Sequence, residues 1–202
     1  MKPLGLILAF TPLIAFSLLS RFLSHDLIGV AGLVAALCAL IVILTGRPIW
    51  PPKVLNTSQV VIFGVIAVLG FAASKGDDRW LATWGGAGVG LVLGLVILAL
   101  VPVVPFTEQF AKESTPQAYW SSPTFIKINR VLSAAWGVAI FLIGVSRVVA
   151  AAINGHTTRR LPETILGLAV PVIIIIYMLR FSKSYPERVT HEPAHAAGSQ
   201  GG

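Results

Sequence analysis

Apolar residues fill this chain in long continuous blocks, without the every-other-residue alternation of a half-buried strand. The blocks cover residues 3–22, 27–45, 58–74, 81–104, 131–153 and 162–181. A bilayer core of about 30 Å takes about 20 apolar residues in a helix. In hydrocarbon only helices and closed barrels satisfy every backbone N–H and C=O, and unbroken blocks favour helices. The pattern predicts an all-α integral membrane protein with six transmembrane helices. Residues 1–181 make up its transmembrane domain, residues 105–122 a cytoplasmic interfacial segment within it, and residues 182–202 a disordered cytoplasmic tail. The opening "MKPLGLILAFTPLIAFSLLSR" has the positive start and apolar run of a signal peptide. Its run is long and no A-x-A-like site follows, so it reads as a retained first span.

Composition points the same way. Of 202 residues, 55% are hydrophobic and 11% charged, against about 25% charged in a soluble domain. Lipid is therefore the solvent for most of the chain. With both termini cytoplasmic, the inner segments hold Lys2, Arg47, Lys53, Lys112, Lys127, Arg130, Arg180, Lys183 and Arg188. The outer loops hold the smaller set Arg21, Lys75, Arg79, Arg159 and Arg160. This asymmetry places the protein in a bacterial inner membrane with both ends inside. The net charge of +7 then faces anionic lipid headgroups. Lys and Arg are scattered through short loops and form no stripe, which argues against nucleic acid as a partner. The one cysteine, Cys38, excludes an intrachain disulfide.

Glycine spacing carries the packing signal. In "GAGVGLVLG", Gly86, Gly90 and Gly94 stand four residues apart on one helix face, where small residues let two backbones approach closely in lipid. A phosphate-binding loop would need different spacing and a Lys-Ser/Thr pair. The chain also suggests an internal repeat. "NTSQVVIFGV" from Asn56 and "NRVLSAAWGV" from Asn129 share an Asn, then an aromatic (Phe63, Trp136), a Gly (Gly64, Gly137) and a Val. Spans two and three would match spans four and five in parallel, about an axis along the membrane normal.

The stretch "PVVPFTEQFAKESTPQAYWSSPTFIKINRVLSAAWG" breaks the apolar monotony. Thr107 is placed to cap a short helix over residues 108–114, with acids in its first turn, and Pro116 ends it. Tyr119 and Trp120 are aromatics of the headgroup level. Ser122 and Pro123 then restart a helix as N-cap and first residue, which carries Lys127 and Arg130 into span five. Tyr119, Trp120, Lys127 and Arg130 are thus expected to anchor the segment at the interface. "PFTEQFAKESTP", the following "YWSSPTF" and "INRVLSAAWG" resemble a family of small uncharacterised bacterial membrane proteins. Its pattern is P-F-T-x-Q-[FY]-A-[KR]-E, then W-x-x-P-x-F, then N-R and W. More loosely, Ile128-Asn129, Trp136-Gly137 and Gly144 are similar to intracellular septation protein A, whose kind is implicated in envelope integrity. The resemblance covers mainly residues 105–147 and implies an envelope role without a known activity.

Motifs for chemistry are thin. "HEPAH" at residues 191–195 matches H-E-x-x-H, but Pro193 interrupts it and no further ligand follows, so it reads as tail and not as a zinc site. "LPET" at 161–164 is followed by Ile165 where a sortase signal has Gly, and reads as the start of span six. His25, His156, Asp77 and Asp78 fall in loops, and no His or acid stands at depth to activate a Ser or Thr. No catalytic, cofactor-binding or metal residue is assigned, and the protein is not expected to be an enzyme. What remains is a face of the fifth helix. At about 100° per residue, Asn129 and Arg147 share one azimuth, with Ser133, Trp136, Gly137, Ile140, Gly144 and Ala151 near it. Val131, Val138, Phe141, Leu142 and Val145 lie off it, so the Asn129–Arg147 face is expected to point into the bundle. Three readings of Arg147 stay open: snorkelling to the outer interface, contact with an anion or lipid headgroup, or pairing with Asp77 or Asp78. The function expected is a non-enzymatic inner-membrane role in cell-envelope or membrane homeostasis or assembly, with anionic lipids and a protein partner or second copy. The alternative is a small-solute or ion transporter or channel, favoured by the repeat, the glycines and Pro12 and Pro171.

Overall fold

The computed structural model describes residues 3–46, 53–73, 80–154 and 165–198. Helix α1 spans Pro3–Phe22 and, after a 3-10 turn at His25–Leu27, α2 spans Ile28–Thr45. Helix α3 is Val54–Ala72. A π-helical turn, Leu81–Gly85, runs into α4, Gly86–Leu100. The short α5, Phe106–Ala111, and a 3-10 turn at Gln117–Tyr119 lead to α6, Pro123–Asn154. A second π turn, Ile165–Ala169, opens α7, Val170–Gly198. No strand occurs among the described residues.

Five helical stretches are long and apolar enough to cross a membrane: Ile28–Thr45, Val54–Ala72, Leu81–Leu100, Pro123–Ile153 and Ile165–Thr190. In α1 the apolar stretch is the shorter Leu8–Phe22. Large apolar side chains are found both inside and outside. Phe16, Phe63 and Leu93 lie in the core with alanine, glycine, Asn56, Gln59, Asn129 and Ser133, while Leu37, Ile41, Val68, Ile173 and Tyr177 stand exposed. Without a hydrophobic drive between helices, small residues hold the interfaces and large apolar ones meet lipid.

Two antiparallel pairs form the frame. In α2–α3, a Cβ built on Gly70 would stand 2.5 Å from the Gly29 nitrogen, and one on Gly32 2.8 Å from the Ala67 nitrogen. In α4–α6, a Cβ on Gly144 would stand 2.5 Å from the Leu91 nitrogen and one on Gly94 2.6 Å from the Phe141 nitrogen. Backbone opposes backbone at these points, so no larger residue fits. Helix α1 braces both pairs: Phe16 packs on Phe63 of α3, and Phe10 stacks on Trp136 of α6, each with ring centroids 5.0 Å apart.

Several boundaries differ from the sequence expectation for local reasons. Helix α3 begins at Val54, ahead of residue 58, because the Gln109 side chain accepts the Val54 N–H at 2.8 Å. Helix α4 stops at Leu100, short of 104, since Pro102 has no N–H to extend it. Residues 182–198, expected as a disordered tail, continue α7 to Gly198. Arg180, Lys183, Glu187 and Arg188 lose little freedom in a helix, which runs on through Pro186, and Thr190 bonds back to the Pro186 carbonyl at 2.9 Å. "LPET", His156, Asp77 and Asp78 lie outside the described residues.

Candidate functional site: a buried polar layer beneath a short helix

At the end of the bundle where α1, α3 and α6 begin, α5 is set into the core. Phe106 and Phe110 are 2% exposed and meet edge-on at 6.3 Å. Phe106 and Phe110, expected on one side of this short helix, turn that side into the end of the bundle. The capping role expected of Thr107 is corrected. The helix begins at Phe106, one residue ahead of Thr107, with Pro105 at the N-cap position and no side-chain cap. Thr107 is fully buried and its hydroxyl donates to the Asn129 carbonyl at 2.8 Å. Its N–H donates to Ser133 Oγ at 3.1 Å, leaving the Ser133 hydroxyl proton for Thr107 Oγ1 at 2.8 Å. Each donor in this trio has one acceptor, so the knot is closed.

The rest of α5 ties into α3. Lys53 pairs with Glu113 and lies over the Phe110 ring, 4.4 Å from its centroid. Beyond α5, Lys112 pairs with Glu108 at 2.6 Å and covers the Trp120 ring at 5.2 Å. Trp120 donates its Nε1–H to the Thr115 carbonyl at 2.9 Å, while Tyr119 is exposed. Ser122 Oγ accepts the Phe125 N–H at 3.2 Å at the start of α6. Lys127 and Arg130, one turn apart, line a shallow open depression of about 420 Å³ with Ser121, Pro123, Ile126 and Val131.

The interior face of α6 carries the remaining candidates. Asn129, Ser133 and Trp136 are each buried to 3% exposure or less. Asn129 donates to its own helix at the Phe125 carbonyl, 2.9 Å, and Trp136 donates to Ser182 of α7 at 2.9 Å. Arg147 stands near the opposite end of the helix and is not part of this layer. Its Nη1 donates to Ser17 Oγ of α1 at 3.1 Å, and a Cβ on Gly86 would stand 3.5 Å from Nη2. The guanidinium thus lies between α1 and α4, at ordinary contact distance from a Cβ at position 86.

Sequence reading missed two members of the layer. Gln59 is fully buried and, with Asn56, donates its amide to the Ala9 carbonyl, at 3.2 and 3.3 Å. Two amides one turn apart, in "NTSQ" at the start of α3, and Pro12 in α1 are what the sequence offered. Among the described residues no three His, Cys, Asp or Glu side chains gather to hold a metal ion. Fold and site together define a multi-pass, all-helical membrane protein with a short helix inserted at one end. No family model, curated protein or solved structure matches the chain.

Proposed function

We propose that the protein is a non-enzymatic component of a bacterial inner membrane, acting in cell-envelope or membrane homeostasis or assembly. The observation that carries this reading is the packing: helix pairs closed backbone to backbone at Gly29–Gly70 and Gly90–Gly144 favour a scaffold over a conduit. The α1 stretch completes six spans in this reading, and both termini face the cytoplasm, as the Lys and Arg distribution favours. The two glycine-closed pairs are read as a parallel repeat, supported by Phe63 and Trp136 each packing on a phenylalanine of α1. Lys127 and Arg130 would hold anionic headgroups, and the exposed face of α7 would meet lipid, a protein partner or a second copy. The resemblance over residues 105–147 supports the envelope role.

The buried amides of α3 favour the second reading, passage of a small solute or ion. The two separate by experiment. A deletion strain is expected to show sensitivity to detergents and wall-targeting stress, restored by the wild-type chain, and purified protein in liposomes is expected to add no solute or ion flux. Flux above protein-free liposomes, lost in Asn56→Leu, would replace the first reading with the second.

A further inference from the structure

Asn56 and Gln59 lie one turn apart on α3, both within 1% of full burial, so their side chains share one face of the helix. Both point an amide at the same atom, the Ala9 oxygen. A carbonyl can only accept, so each amide must present its nitrogen there and turn its own oxygen away. This fixes the orientation of both groups chemically. The two oxygens, Asn56 Oδ1 and Gln59 Oε1, accept no hydrogen bond from any protein group. Buried acceptors in that state are rare and call for an explanation, the more so where surrounding lipid offers no water.

The Ala9 turn explains the nitrogens only. Pro12 lies inside α1 and has no N–H to give to the Leu8 carbonyl; the carbonyl that the α3 amides reach is the next one along, Ala9. The oxygens need something else, and their chemistry defines it. Both open positions are acceptors, which excludes an anion. Neither is charged, and the nearby Lys53–Glu113 pair is already matched, so a cation would be buried without a counter-charge. Two neutral acceptors on one face, one turn apart, suit a small neutral molecule with two donor hydrogens. We infer that Asn56 Oδ1 and Gln59 Oε1 together hold one ordered water molecule against the Pro12 turn of α1. Asn129 Oδ1 is also without a protein donor, but stands alone and offers no such pair.

The test is solid-state NMR on the full chain in lipid bilayers, with carbon-13 in the side-chain carbonyls of asparagine and glutamine. Asn56, Asn129 and Asn154 are the asparagines, and Gln59, Gln109, Gln117 and Gln200 the glutamines, so signals are few. Asn56→Leu and Gln59→Leu assign two of them by disappearance. Should either fail to fold, substitutions at the other asparagines and glutamines assign the same signals by elimination. The expected result is that both carbonyls show magnetisation transfer from water in the parent chain, and that each shifts when the other residue is replaced. Shifts caused by ammonium chloride but not by choline chloride would overturn the inference in favour of a cation site. Carbonyls without water contact, at the position of an unbonded amide, would overturn it in favour of a purely structural brace for the proline turn.

Discussion

The α2–α3 and α4–α6 pairs solve one packing problem in two ways. Both replace side chains with glycine where backbones cross, yet they treat the matching glycines differently. Gly64 of α3 meets nothing within 4 Å, whereas a Cβ on Gly137 of α6 would stand 2.8 Å from Leu98 Cγ. The inner aromatics differ as well. Phe63 has no polar tip, while Trp136 uses its Nε1–H to reach Ser182 on α7. Helix α6 therefore makes contact with α4, α5 and α7 along its length. A shared sequence motif does not fix an equal role, because the neighbours decide what each position must fit.

The largest expected effects break the pairs at their crossings. Gly144→Leu and Gly70→Leu each oppose fixed backbone, and each is expected to cost about 3 kcal/mol or more in denaturation from detergent or bicelles. Gly64→Leu meets open space and is expected to stay within about 0.5 kcal/mol of the parent. An equal loss on replacing Gly64 and Gly137 by leucine would remove the distinction between the pairs. Next comes the knot under α5, present only in the second pair. Thr107→Val leaves the Asn129 carbonyl and Ser133 hydroxyl short of partners, for about 1–3 kcal/mol, and Thr107→Ser is expected to recover most of it. Trp136→Phe keeps the ring on Phe10 but loses the Ser182 bond, about 1 kcal/mol by thermal unfolding. Smallest is Lys112→Ala, which removes a half-exposed i,i+4 pair with Glu108 and is expected to change stability by less than about 0.5 kcal/mol.

Helix positions were legible because unbroken apolar blocks admit few alternatives in lipid. The inward face of α6 was legible from the azimuths of Asn129, Ser133 and Trp136, since small and polar residues collect at helix interfaces. The role of α5 was not. A Thr before an acidic turn reads as a cap, and only tertiary packing draws Phe106, Thr107 and Phe110 inward together. The Asn56–Gln59 pair escaped for a related reason: its partner is the Ala9 backbone, which has no sequence signature beyond a proline three residues on. Arg147 was singled out by its rarity, but its contact with Ser17, more than a hundred positions away, leaves no local trace.

The central claim is a six-span bundle with α1 crossing alongside the five longer stretches and both ends on the cytoplasmic side. Topology reporters at the N-terminus, at Gly76 and at the C-terminus test it directly. The account predicts cytoplasmic signals from both termini and the opposite signal from Gly76. Termini on opposite faces would mean that α1 does not cross. A Gly76 reporter on the same side as the C-terminus would contradict the order of spans itself.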